Sequence, residues 1–466
     1  MSETSPVFVE TTSAKLYDRM DPESLHPERT AALDQLKELE NRNVITITKL
    51  GSLFNIEKTR TNTPGTFPCI EMEDVEIDFG LIASERRISI SEAGTSNVAC
   101  KGGQILFSGI RPYLNKVTFI PSDIKKAICS GEFYVLIPRK PKLPLGIIWL
   151  LLRSELVLNQ SSHLIGGALR PRIDDDAIAD LDIPMPTDTK LVSNFNQMAL
   201  KAVAQYSHGI RMLEKAETSF LTAIGLEAVP EIPRLFFAIA THQPDSPRPY
   251  YRMDPLFFHP SYYRNLKSSL EKWAERKKGA IEKLEKLCVP NGISRPKAHM
   301  ANDKGTTARL GVENVTGKGI LWHCSHVEVA LYQSKAFLRK HDLLISATGI
   351  GSTGRVEIYV ENNNPTVTDG HIAVVRLKPN SKPYYVLAYL RTEYGRRQLK
   401  RMERGTSGQI ELYADDIGNM LVPIPKTAYT SNKAQSVLKK SLEAMEAAKF
   451  KLSKARRELD SILLVN

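Results

Sequence analysis

Residues 19–27 read RMDPESLHP and residues 252–260 read RMDPLFFHP, identical at six of nine positions and 233 residues apart. A repeat at half the chain length constrains the fold more than any other feature. Solenoid repeats have periods of about 20–50 residues, so this spacing predicts two whole domains of one kind. The match runs on past the motif. Glu73-Asp74-Val75 matches Glu313-Asn314-Val315, and Leu106-Phe107-Ser108 matches Leu344-Ile345-Ser346. Gly131 and Val135 match Gly370 and Val374; Leu151 matches Leu390, and Gly166 matches Gly405. Pro184 and Pro186, in IPMP, match Pro423 and Pro425, in VPIP. Beyond the prolines, Leu213, Lys215 and Ala216 match Leu452, Lys454 and Ala455. The duplicated unit is thus a domain together with the segment that follows it.

Within each copy the pattern is sheet-rich. From about 44 to 140, short runs such as VITIT, RRISIS, GQILFS, KVTFI and EFYVLIP alternate with Gly, Pro, Asn and Ser, as strands do. The second copy repeats this in TARLGVENV, DLLISA, RVEIYV and HIAVVRL. One helix is expected in each copy after these strands, Leu145–Gln160 and Tyr384–Leu399. Helices are also expected at 21–40 and 254–286. Each Pro-x-Pro is followed by a long stretch without internal proline, 190–226 and 431–463. In the second, Leu438, Leu442, Met445, Ala448, Leu452, Ala455, Leu459 and Ile462 recur at spacings of three or four, a heptad-like seam. In the first, Leu213, Ala216 and Phe220 continue a noisier seam broken near Tyr206–Gly209. Packing the two seams on each other, antiparallel, buries both. The expected fold is α+β, with two sheet-rich domains in pseudo-two-fold arrangement joined by two long antiparallel coiled-coil-like helices. The expected boundaries are 1–186, 187–227, 228–425 and 426–466.

The net charge of +11 favours an acidic partner, chiefly nucleic acid. The five cysteines are widely spaced with no CxxC pair, which excludes a zinc ribbon and fits a reducing cytoplasm. The opening MSETSPVFVE lacks the charge-then-apolar pattern of a signal peptide. The longest apolar run, Leu143–Leu152, is too short to span a bilayer. No membrane attachment is expected.

Motifs for catalysis are scarce. Gly349, Gly351 and Gly354 fit GxGxxG after the strand DLLISA, with Asp369 further on. A dinucleotide site needs a helix to open after the glycines. RVEIYVENNN follows instead, so a hairpin loop is expected. There is no Walker A sequence, no HExxH and no clustered set of metal ligands. Asp174-Asp175-Asp176 reads as the acidic first turn of a helix. The chain therefore reads as a binder.

The candidate contact residues lie on the loops. In the first copy they are Arg111, Tyr113, Asn115 and Lys116, with Arg170 and Arg172 in GGALRPRI. In the second they are Ser352, Thr353 and Arg355, with Thr406, Ser407 and Gln409 in RGTSGQIEL. Arg and Lys suit phosphates and guanine edges, and Asn and Gln suit adenine edges. The same frame carries different loop chemistry in its two copies, as two readers of different half-sites require.

The doubled order of parts resembles the specificity subunit of type I DNA restriction–modification systems. It is carried by ILFSGIRPYLNKV, EFYVLIPR, IIWLLLRSELVLNQ and LDIPMP in the first copy. DLLISATGIGSTGRV, HIAVVRLKP, YVLAYLRTEYGRRQL and MLVPIP carry it in the second, and RMDPLFFHPSYY looks like the opening of such a domain. The resemblance implies a cytoplasmic, non-catalytic subunit that reads a split, asymmetric site on double-stranded DNA. It implies docking of two methylation subunits, which bind S-adenosylmethionine, and of restriction subunits using ATP and Mg. No cofactor is implied in this chain. Leu213, Phe220, Leu438, Leu442, Met445, Leu452 and Leu459 would form the helix seam and dock. A self-contained nuclease or other hydrolase, and a helix-based protein–protein adaptor, are the alternatives.

Overall fold

The computed structural model describes residues 25–166, 170–229, 257, 259–277, 279–296, 305–322, 324–328, 337–360, 365–405 and 410–464. They form two compact units. Unit one comprises Met1–Ile210 with Ala444–Asn466, and unit two comprises Arg211–Glu443.

Among the described residues unit one holds ten strands. They are β1 (Ile45–Lys49), β2 (Phe54–Glu57), β3 (Thr66–Ile70), β4 (Arg87–Ser89), β5 (Val98–Cys100), β6 (Ile105–Ser108), β7 (Val117–Phe119), β8 (Ala127–Cys129), β9 (Phe133–Pro138) and β10 (Asp182–Pro186). They pair in the orders β2-β9-β6-β7, β4-β3-β8-β5 and β1-β10. Unit two holds β11 (Ala280–Lys283), β12 (Cys288–Ser294), β13 (Thr307–Leu310), β14 (Ser325–Val327), β15 (Leu343–Ser346), β16 (Val356–Ile358), β17 (Thr366–Thr368), β18 (Ile372–Leu377) and β19 (Leu421–Ile424). Their orders are β12-β18-β15-β16, β14-β13-β17 and β11-β19.

The second unit repeats the first down to register. Leu106 faces Val135 and Leu344 faces Val374. Among the described residues each unit has one parallel pair at the same place, β3 with β8 and β13 with β17. The central strands ILFS and LLIS are buried at every position, which is why they read as unbroken apolar runs. Pro184 and Pro186 are tolerated because β10 has a single partner, so a missing N–H breaks no second ladder.

Each expected helix after the strands is in fact two. Leu145–Leu152 and Glu155–Ser162 are separated at Ser154, and Pro383–Arg391 and Glu393–Met402 at Thr392. Ser154 and Thr392 are extended, with ψ of 157° and 167°. Their hydroxyls donate to the carbonyls of Leu151 at 2.6 Å and Tyr389 at 2.7 Å, competing with helical continuation. The helix expected over 254–286 is shorter, Arg264–Lys277. It ends before Gly279, where a Cβ would come within 2.5 Å of the Trp273 ring; the chain then enters β11.

The repeated His-Pro of the opening motif starts a helical turn in both units. His26 Nδ1 accepts from the Glu28 N–H at 3.3 Å, and His259 Nδ1 accepts from the Ser261 N–H at 3.3 Å. Proline at the first helical position gives up a donor that has no partner there anyway. The helix after His26 runs Pro27–Asn41. The Arg-Met-Asp-Pro portions of both copies lie outside the described residues.

The two proline-free stretches are single helices, Thr189–Ile224 and Ala428–Leu463, of 36 residues each. At 1.5 Å per residue each is about 54 Å long. The first is unbroken through Tyr206–Gly209. In unit one, Lys451 from the end of the second helix donates to Gln205 of the first. In unit two, Ala216 and Phe220 share a core with Ala434, Leu438 and Leu442 from the start of the second helix. Phe220, Leu438, Leu442, Met445, Leu452 and Leu459 are buried, and Leu213 packs half-buried against the same core. Among the described residues no helix is long and apolar enough to cross a membrane.

Candidate nucleic-acid interface

In unit one the hairpin β6–β7 carries residues 109–116. Its turn is a short 3-10 segment, Pro112–Leu114, held between Arg111 and Asn115, which both have left-handed backbone (φ 48° and 51°). The turn is braced from beneath by Arg153. Its carbonyl accepts from the Asn115 amide at 3.0 Å, and its guanidinium donates to the carbonyls of Asn115, Val117 and Ile77. Asn115 is therefore only 7% exposed and positions the loop; its expected place at a contact surface is corrected. Lys116 is likewise turned inward, its ammonium donating to the Met72 carbonyl, and burial lowers its pKa. Arg111 and Tyr113 are exposed at the tip, Tyr113 to 47%.

The second expected loop is stitched to this hairpin. The Arg111 N–H donates to Pro171 O at 2.9 Å and the Ile173 N–H to Gly109 O at 3.0 Å, while Gly166 and Arg172 exchange both backbone bonds. Arg170 and Arg172 are exposed beside the turn. Arg172 forms a 2.6 Å ion pair with Glu132 and holds that carboxyl below its ordinary range. Lys58 lies 3.7 Å over the Tyr134 ring, and burial lowers its pKa. Asp174 caps the following short helix by accepting from the Ala177 N–H at 2.8 Å, as its acidic run suggests.

Unit two builds the same frame on β15–β16, an antiparallel hairpin with no helix after the glycines. Gly349 and Gly351 have φ of 94° and 78°, conformations that a side chain resists. Ser352 donates to Thr348 O at 2.9 Å, Thr353 donates to Gly349 O, and Arg355 reaches Gly351 O at 3.0 Å. The Ser352 and Thr353 hydroxyls thus shape the turn, whereas Arg355 is exposed. Gly349 N donates to Ile410 O at 3.2 Å and Leu412 N to Ala347 O at 2.8 Å, while Arg404 and Glu411 exchange both backbone bonds. The bridges Ile110–Arg172 and Gly166–Arg172 recur as Thr348–Glu411 and Arg404–Glu411. Thr406, Ser407 and Gln409 lie outside the described residues.

The surface chemistry differs where the frame agrees. The place of Arg172 is taken by Glu411, which receives Arg295 at 3.3 Å. Arg404 pairs with Asp416 at 2.7 Å and stacks 4.9 Å over the Tyr413 ring. Ile350, which no sequence motif singles out, is 71% exposed between Gly349 and Gly351. Tyr113 and Ile350 occupy the matching tips, so each hairpin ends in an exposed apolar side chain flanked by arginine. The signal was available: an isoleucine between two glycines in a hairpin loop has no core to enter.

No protein-family model and no curated protein matches the chain. Among solved structures, it is 16% identical to the Type-I restriction-modification system S subunit from M. genitalium. That match covers 90% of this chain and 96% of that one, with a TM-score of 0.41. The HsdS subunit from Thermoanaerobacter tengcongensis is also 16% identical, over 90% and 95% of the two chains, at a TM-score of 0.31. The chain is similar to these S subunits. A chain from work on complex assembly and conformational transition of the type I R-M system gives 16% identity, 90% and 96% coverage and a TM-score of 0.32.

Proposed function

We propose that this chain is the non-catalytic, sequence-specific DNA-binding subunit of a type I restriction–modification complex. Each unit reads one half of a split, asymmetric site through its stitched pair of loops. The observation that carries this reading is the repeated frame with unlike surfaces: Arg111, Tyr113, Arg170 and Arg172 in unit one against Ile350, Arg355, Arg404 and Glu411 in unit two. Arginines at the loop margins suit phosphates and guanine edges, while Tyr113 and Ile350 suit base faces and thymine methyls. The net charge of +11 supplies attraction to the DNA backbone. The long helices dock two methylation subunits, which carry S-adenosylmethionine and methylate adenine, and the restriction subunits that use ATP and Mg join the same assembly.

The test is co-expression with a methylation subunit, followed by footprinting of the purified complex at two salt concentrations. Protection of two short blocks separated by unprotected base pairs, weakening steeply with salt, is expected. A stable complex that protects one continuous block removes the two-reader assignment. Metal-dependent cleavage of DNA by the purified chain alone favours the self-contained enzyme instead.

A further inference from the structure

We propose that His26, Glu28 and His163 of unit one form a binding site for a borderline divalent metal ion of the zinc class. The three residues come from two elements, the start of the helix Pro27–Asn41 and the end of the helix Glu155–Ser162. One ligand atom from each lies within 4.8 Å of the other two. His163 Nε2 is 3.0 Å from Glu28 Oε2, and the two imidazoles stack with centroids 3.7 Å apart and planes within 8°. Two imidazoles and one carboxylate make a nitrogen-rich donor set that suits zinc, copper or nickel over magnesium or calcium.

Comparison of the two units separates this site from the capping role of the histidine. His259 caps its turn as His26 does, so capping alone accounts for an imidazole at this place. It does not account for the other two groups. Two residues after His259 stands Ser261, and the residue closing the helix Glu393–Met402 is Glu403, where unit one has Glu28 and His163. Among the described residues the ligand set is thus assembled in unit one alone, around a histidine that both copies keep.

The geometry also states what binding must do. Donors around a tetrahedral zinc ion lie about 3.3 Å apart, so the cluster, whose ligand atoms lie within 4.8 Å of one another, has to contract on binding. A metal lies in the plane of each imidazole that holds it, so one ring must turn out of the stack. The Glu28 side chain is 63% exposed and can follow. Bound metal would pin the end of the helix Glu155–Ser162, from which residues 164–166 depart, to the start of the helix Pro27–Asn41.

The experiment is zinc titration of the full, untagged chain by competition with a chromophoric chelator. The variants are His26→Asn, which retains a capping side chain, Glu28→Gln, His163→Ala and His259→Asn. One zinc ion per chain is expected, with affinity reduced at least about tenfold in each of the first three variants and unchanged in His259→Asn. Zinc should also raise the thermal midpoint of the wild-type chain and not that of Glu28→Gln. Because Glu28 is exposed, Glu28→Gln keeps the test valid even where His163→Ala fails to fold. Absence of stoichiometric zinc, or zinc binding that survives both Glu28→Gln and His26→Asn, overturns the proposal.

Discussion

Lys449 Nζ lies 3.3 Å from Glu76 Oε1 with both side chains only 5% exposed, an ion pair buried in unit one between the second long helix and the sheet-rich part of that unit. The same carboxylate oxygen accepts from the Tyr206 hydroxyl at 2.7 Å, so the first long helix joins the network. Tyr206 is where the apolar seam of that helix breaks in the sequence. The break is a polar anchor: Ser207, next to it, donates to Glu85 at 2.9 Å.

Removing one member of this pair strands a charge. Lys449→Met should cost about 3–5 kcal/mol, because Glu76 would keep its buried charge without a cation. Replacing both residues with apolar side chains should restore much of that loss. Denaturant unfolding of the two variants and the wild type measures it. Equal losses in the single and double variants would mean that packing, not charge, dominates.

The seam can be tested by two substitutions on one helix. Leu452 is 3% exposed and Phe450 is 65% exposed. Leu452→Asp should destabilise by several kcal/mol, on the order of 3, through a buried unpaired charge. Phe450→Asp should stay within about 0.5 kcal/mol of wild type. Gel filtration with co-expressed methylation subunits should show failed assembly for the first. Normal assembly of Leu452→Asp counts against the helix pair.

Arg172 is held by Glu132 rather than left open. Glu132→Gln should release it toward a phosphate, strengthening binding at low salt and steepening the slope of log K against log salt by about 0.9. An unchanged slope would remove Arg172 from the contact surface. The sign with pH follows from Glu132, whose carboxyl Arg172 holds below its ordinary range. The pair is formed above that range and is lost as pH falls through the depressed value. Acid therefore mimics Glu132→Gln only below the ordinary carboxylate range.

Tyr113 and Ile350 should act on different half-sites. Ile350→Ser should relax discrimination at one base pair by about 1–3 kcal/mol and leave the other half-site unchanged. Tyr113→Ser should do the reverse. Methylation of substrate libraries randomised in either half distinguishes them. Parallel loss at both halves from one substitution would contradict independent readers.

Much of this was legible in the sequence because it was written twice. The doubled strands, the Pro-x-Pro closures and both long helices recur at nearly constant spacing, and the hairpin at Gly349 follows from the strand after it. What was not legible depended on partners distant in the chain. Asn115 reads as an adenine contact until Arg153, 38 residues on, is seen to hold it. Glu28 and His163 are 135 residues apart, so no ligand spacing announces them. The interrupted helices were missed because Ser154 and Thr392 are ordinary residues, and only their hydroxyl bonds to the preceding turn mark the break. The exposed loop residues are legible as candidates, but which of them face outward is decided by the backbone brace beneath.

The central claim is that two units of one frame read two different half-sites. Its most direct measurement is the adenine-methylation motif in the DNA of cells carrying this chain, before and after its deletion. A bipartite, asymmetric motif with a fixed gap, lost on deletion, is the predicted result. A single continuous motif, or methylation unaltered by deletion, would contradict it.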